Sequence, residues 1–146
     1  MEQGENKRKH LQLIQDVITR MASNSFLLRG WSITLVTAVI GFTLKAQGEA
    51  YGVYLLLTAT ILVLVFWLLD AYYLSQERAY KGLYKEVCGK SESNIDFSLN
   101  ATGHIKGYNT WISSMFSSVF LVFYLPAFFI LVLVSSNLIG ITIYIK

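Results

Sequence analysis

Two charges stand inside long apolar runs of this sequence. Arg29 lies in SFLLRGWSITLVTAVIGFTL and Asp70 in YGVYLLLTATILVLVFWLLDAYY. A charge in such a run is costly in a low-dielectric surround, so it is paired, solvated or functional. If the two runs form an antiparallel hairpin, Arg29 and Asp70 come to similar depth near one end of it. One reading is an ion pair that fixes the hairpin, or a charged ring at a pore mouth. The other is that Arg29 snorkels to lipid phosphates while Asp70 points to water. Neither charge sits at the middle of its run, which argues against a proton relay or an ion-coupled transport site.

Softer polar features accompany them. Gly30, Thr34, Thr37 and Gly41 recur at steps of four, three and four, on one face of a helix. Small and hydroxylated residues there permit close helix approach, or line a pore. Ser113, Ser114, Ser117 and Ser118 give a third apolar run a polar start. They line a vestibule in an oligomer, or bond the preceding turn of their own helix. Pro126, inside that run, predicts a kink and is a candidate hinge. Other chemistry is missing. There is no nucleophile–base pair, no H-E-x-x-H and no G-x-x-x-x-G-K-[ST]. Two histidines, His10 and His104, and one cysteine, Cys88, leave no disulfide framework and no Cys-rich zinc site. The expectation is a protein that is not an enzyme and holds no metal or cofactor.

Composition says what must position these residues. Of 146 residues 54% are hydrophobic and 14% charged, with mean hydropathy +0.49. A soluble domain carries about a quarter charged residues. An ordinary soluble enzyme and a disordered chain are excluded. Twelve Lys+Arg against nine Asp+Glu leave +3, too small a surplus for a nucleic-acid partner. A bilayer-crossing helix needs about 20 apolar residues. Three runs qualify, over 25–44, 51–73 and 111–135, the first two joined by a short polar turn from Lys45 to Ala50. The polar and amphipathic stretch 1–24 does not have the layout of a cleaved signal peptide, so the first span reads as an uncleaved anchor.

Periodicity extends two of the helices beyond the apolar runs. Leu11, Ile14, Ile18 and Met21 recur at helical steps, with Leu13 and Val17 widening the stripe. This N-terminal helix is suited to a membrane surface or a partner helix, with a bend at Asn24–Ser25. After the second run, Leu69, Tyr73, Gln76, Tyr80, Leu83 and Val87 keep the four–three alternation of a coiled-coil seam. That helix projects about 20 Å past the membrane. Residues 74–110 thus hold a helix and a Ser/Asn/Gly-rich loop, functional or mobile, with a short strand or turn at Ile95–Leu99. Residues 136–146 extend the third helix or form a β-branched tail, and the extension is the favoured reading. The expected fold class is an all-α membrane protein with three transmembrane helices, an N-terminal amphipathic helix, and a second span extended into the cytoplasm.

Loop charge sets the expected orientation. Lys7, Arg8, Lys9 and Arg20 precede the first span, and Arg78, Lys81, Lys85, Lys90 and Lys106 lie between the second and third. Lys45 alone follows the first span and Lys146 alone the third. The N-terminus and the long loop are expected in the cytoplasm and the C-terminus outside. Trp31, Trp67 and Trp111 all fall at the cytoplasmic interface in that topology, where indoles prefer to lie. Cys88 is then a reduced thiol, and the acceptor-like Asn100-Ala101-Thr102 a chance match.

The stretch KRKHLQLIQDVITRMASNSFLLRGWSITLV, followed by FWLLDAYYLSQERAYKGLYKEV, resembles small bacterial membrane proteins. It is similar in layout to the SLATT-type membrane effectors of anti-phage systems, over residues 7–88. The third span lies beyond that layout. The resemblance implies a bacterial inner-membrane protein that depolarises or perforates the membrane on a cytoplasmic signal. Three spans enclose no channel alone, so this reading needs a homo-oligomer in the lipid bilayer. A second reading is a structural anchor that recruits a soluble cytoplasmic sensor or enzyme through its helices. A transporter is the weaker third.

Overall fold

The structure, a computed structural model, describes residues 4–46, 49 and 51–145, with side-chain burial through Asn137. Part of the Lys45–Ala50 turn, the charge of Lys146 and the start of the 1–24 segment lie outside the described residues. Among the described residues the chain is all-helical. Helix α1 spans Glu5–Lys45 and α2 spans Tyr51–Gly89. Helix α3 is short, Trp111–Met115, and α4 spans Leu125–Ile145. Three helices are long and apolar enough to cross a membrane: α1, α2, and the stretch Phe120–Asn137.

Contacts divide the chain into two compact units. One comprises Met1–Phe26 and Ala71–Met115, the other Leu27–Asp70 and Phe116–Lys146. We call them the polar unit and the apolar unit. Helices α1 and α2 each contribute to both. The bend expected at Asn24–Ser25 does not interrupt α1, which stays helical through both residues. Neither residue is a glycine or proline, so nothing there forces the helix to end.

In the polar unit, Ile14, Ile18, Ala79, Leu83, Val87 and Ala101 form the core, with Leu11, Tyr80, Tyr84, Ile95 and Ile105 packed against it. The loop is therefore part of the core. Its Ala101, Ile95 and Ile105 cover the helices, and no strand forms at Ile95–Leu99. Short 3₁₀ turns at Glu92–Asn94, Thr102–His104 and Gly107–Asn109 satisfy part of its backbone. The seam expected on α2 is rotated. Leu69 is 42% exposed and Tyr73, Gln76 and Tyr80 are half-buried, while Ala71, Ser75, Ala79, Leu83 and Val87 are buried. The reason is the loop. It runs close along α2, and small side chains let its backbone approach, as where the Ser75 hydroxyl donates to the Asn109 carbonyl at 2.7 Å.

Gly82 serves the same approach. A Cβ built there would lie 2.9 Å from His104 Nδ1 and 3.1 Å from its Cβ. Gly82→Ala gains about 1 kcal/mol in helix propensity. It meets an overpacking cost of about 1–3 kcal/mol, because the imidazole is held at its root. The expected outcome is a net loss, read as faster amide exchange over residues 101–110. Unchanged exchange would show that the loop moves away freely.

The ends of the two long helices are capped reciprocally. Glu92 accepts from the Asn6 and Lys7 backbone N–H groups at 2.9 and 3.3 Å, at the N-terminus of α1. The Lys7 ammonium donates to the Cys88 and Lys90 carbonyls at 2.7 and 2.9 Å, at the C-terminus of α2. Both contacts satisfy orphan backbone groups and oppose the helix dipoles with the favourable charge. Glu92→Ala removes an N-terminal cap and should destabilise the polar unit by about 1 kcal/mol. Denaturant titration checks this, and Glu92→Gln should recover part of the loss.

In the apolar unit, Val36, Ala59, Val63, Tyr124 and Leu131 form the core. Trp67 packs on Phe120 with centroids 5.1 Å apart and edge-on to Phe116 and Phe128. Gly52 is required at the start of α2, where a Cβ would lie 2.9 Å from the Ala46 carbonyl oxygen. The third span was expected to begin at Trp111. Instead α3 ends at Met115, the chain turns at Phe116–Ser117, and helix resumes at Ser118. Ser113 and Ser114 accordingly belong to the polar unit. The segment Phe120–Tyr124 is π-helical, just ahead of Pro126. Pro126 has no N–H for the Val122 carbonyl, and its ring crowds that carbonyl. A π turn widens the backbone there and absorbs both effects. From Leu125 the helix continues to Ile145, through the stretch read as tail or extension.

Candidate functional site

The in-span charges meet within the apolar unit. Arg29 Nε donates to Asp70 Oδ2 at 2.9 Å and Nη2 to Oδ1 at 3.2 Å. This is the two-pronged geometry that suits a guanidinium and a carboxylate. The Asp70 side chain is 2% exposed and that of Arg29 21%. The carboxylate is thus sealed, and the exposed part of the pair belongs to Arg29. The Phe123 ring lies 5.6 Å from the guanidinium carbon, within cation–π range. The Tyr124 hydroxyl donates to the Phe66 carbonyl at 3.2 Å, one turn before Asp70 on α2. Three elements of one unit therefore hold the pair: α1 through Arg29, α2 through Asp70, and the π turn through Phe123 and Tyr124.

A cleft of about 220 Å³ opens beside the pair. Arg29, Ser32 and Thr37 of α1 line it with Val36 and Ile40. Phe123, Tyr124, Pro126, Ala127 and Ile130 line the facing side. Its polarity is graded. Arg29, Ser32 and Tyr124 mark one end; Ile40 and Ile130 mark the other. Along α1 that is eleven residues, or about 16 Å. Pro126 is thus a wall of the cleft. Ser32, Phe123 and Tyr124 were not singled out in the sequence. They lie in apolar context, and only the approach of the third helix to α1 gathers them.

The stripe Gly30, Thr34, Thr37 and Gly41 is exposed along its whole length. No other atom approaches a Cβ built at Gly30 or Gly41 within 4 Å. The face therefore does not serve packing within the chain. The Thr34 hydroxyl donates to its own helix at the Gly30 carbonyl, 3.0 Å. The four serines separate. Ser114 is buried and receives Arg78 Nη1 at 3.2 Å, Ser117 is buried, Ser113 is half-buried and Ser118 exposed.

Arg78 organises the polar unit. It lies 4.1 Å above the Tyr108 ring and donates to the Tyr108 carbonyl and hydroxyl at 3.1 and 3.2 Å. On the N-terminal stripe Ile14, Val17 and Ile18 are buried and Leu11 and Met21 half-buried. His10 is fully buried beside them. Its Nε2 lies 2.9 Å from the Ser98 carbonyl, which accepts the proton, and its ring faces Phe97 at 5.5 Å. Phe97 occupies the left-handed region at φ 53°.

Charges also hold the loop. A hydrogen bond from Lys90 and its charge hold the Glu86 carboxyl below the usual carboxylate range, and His104 adds to this. The Ser98 backbone N–H and the Lys90 charge lower Asp96 likewise. Depressed carboxylates stabilise the fold above their unfolded pKa of about 4 and lose that contribution as pH falls through the folded value. Proteolysis within residues 90–106 should therefore accelerate as pH falls below about 4. Acceleration confined to neutral pH would assign control to other groups.

Among the described residues no group of His, Cys, Asp and Glu is arranged to hold a metal ion. Comparisons of the chain with protein-family models, with curated proteins and with solved structures give no match.

Proposed function

We propose that this protein is a homo-oligomeric effector of the bacterial inner membrane. Its N-terminus and polar unit face the cytoplasm and its C-terminus lies outside. Its assembled spans open a depolarising path when the polar unit receives a signal or partner. The observation that carries this reading is the uncovered face Gly30, Thr34, Thr37, Gly41 on a helix apolar enough to span. Small residues on such a face favour contact between copies, and threonines on it supply a ring with hydroxyls. The Lys/Arg bias of the two segments flanking the first two spans supports the orientation. The anti-phage setting rests on the resemblance over residues 7–88.

The anchor reading has its own support. Phe97 and Leu99 of the loop are 42% and 38% exposed, apolar area that a partner protein can cover. One experiment separates the two. The protein is induced in a bacterial host, with and without its neighbouring gene and phage challenge, and membrane potential is followed by dye fluorescence. Depolarisation that Thr37→Leu alters supports the effector. A membrane-inserted protein that never depolarises the cell overturns it and leaves the anchor, which affinity capture through Phe97→Ser then tests.

A further inference from the structure

We infer that the cleft beside Arg29 is a binding site for one anionic phospholipid, its phosphate at Arg29 and an acyl chain along the cleft floor. This goes beyond the effector reading and does not need it; it requires only that the apolar unit lie in a bilayer.

The argument starts from the charge pair. Asp70 is sealed at 2% exposure, and of the pair it is Arg29 that lines the cleft. The Phe123 ring and the two bonds to Asp70 fix the guanidinium at the cleft's polar end, with Ser32 and Tyr124 lining the wall beside it. A fixed guanidinium close to the end of a span lies at phosphate depth. From there the lining turns mostly apolar, through Val36, Ala127, Ile40 and Ile130, with Thr37 as its one hydroxyl. An amphiphile with an anionic head and a hydrocarbon tail matches this gradient along its length. The volume suits a segment of a tail: at about 220 Å³ the cleft exceeds the roughly 150 Å³ apolar cavity that takes up benzene. The lips are apolar too. Ile33, Val122 and Ile130 are 57%, 67% and 47% exposed, so the mouth opens on hydrocarbon and a lipid enters sideways without crossing water. The π turn ahead of Pro126 brings Phe123 and Tyr124 to the wall, which gives that irregularity a use.

The test is native mass spectrometry of the full chain, delipidated in mild detergent and offered phosphatidylglycerol and phosphatidylcholine in equal amounts. The expected result is one retained phosphatidylglycerol per chain, at least ten-fold over phosphatidylcholine. Ala127→Phe fills the floor and Ile130→Trp blocks the exposed lip. Each should reduce retention at least ten-fold while circular dichroism keeps the wild-type helix signal. The lip variant leaves the core untouched, so misfolding of the floor variant does not end the test. Equal retention of both lipids, each of which carries a phosphate, overturns the preference for an anionic headgroup. No retained lipid, or undiminished retention in a folded variant, overturns the site. A lipid-free dimer that cross-links between copies through an Ile33→Cys variant at the cleft mouth would give the cleft to a second copy instead.

Discussion

Asp70→Ala should be among the most damaging single substitutions in this chain, costing about 3–5 kcal/mol. It leaves the Arg29 guanidinium, 21% exposed, without its carboxylate among apolar side chains. Arg29→Met takes the guanidinium from the carboxylate instead, and Asp70 at 2% exposure has even less access to solvent. The double variant Arg29→Met/Asp70→Leu removes both charges and fills similar volume. A buried ion pair is often no better than apolar packing, so the double variant should recover most of the loss or exceed wild type. Reversible unfolding in mixed micelles, read by Trp67 fluorescence, completes the cycle. Losses below about 1 kcal/mol in both single variants would mean that each charge is satisfied without the other, and the pair would not be what fastens α1 to α2.

Ile14→Ala is expected to cost about 2–5 kcal/mol, and to act on the polar unit alone. Ile14 is 0% exposed and sits in the core with Ile18, Ala79, Leu83 and Val87. Truncation leaves a cavity bordered by two helices and the loop, none of which can close it without breaking the caps at Glu92 and Lys7. The neighbouring Leu13, 44% exposed, is the control, and Leu13→Ala should stay within about 0.5 kcal/mol. Hydrogen exchange supplies the spatial test. In Ile14→Ala, protection should fall across residues 5–26 and 71–110 and hold across 31–45 and 51–66. Uniform loss along α1 would show that the two units unfold as one.

The sequence carried the apolar helices because their signal is local. A run of about 20 apolar residues reads as a span without knowledge of its neighbours. Arg29 and Asp70 were legible for the same reason, as charges in the wrong company. What was not legible depends on distant chain segments. The seam on α2 was read as if a helix alone would cover it. The loop covers it instead, which moves the buried face onto Ala71, Ser75 and Ala79, whose small size is uninformative in isolation. The loop's Ser/Asn/Gly composition hid that Ala101, Ile95 and Ile105 complete a core. The broken start of the third span was hidden because Phe116 and Ser117 carry no breaker signal. His10 lacked any motif, and only the packing of Phe97 and Ser98 against it gives it a place.

The reciprocal capping of α1 and α2 also bears on the order of biosynthesis. Residues 4–26 leave the ribosome well before residues 71–115, which belong to the same compact unit. The contacts span 81 to 88 positions of chain. At about 5–20 residues per second, the N-terminal segment waits on the order of 5–20 seconds for them. During that interval Ile14, Val17 and Ile18, buried in the finished unit, lack the helix and loop that cover them. Docking of this segment onto α2 is therefore a late event, and the stripe stays uncovered until it happens.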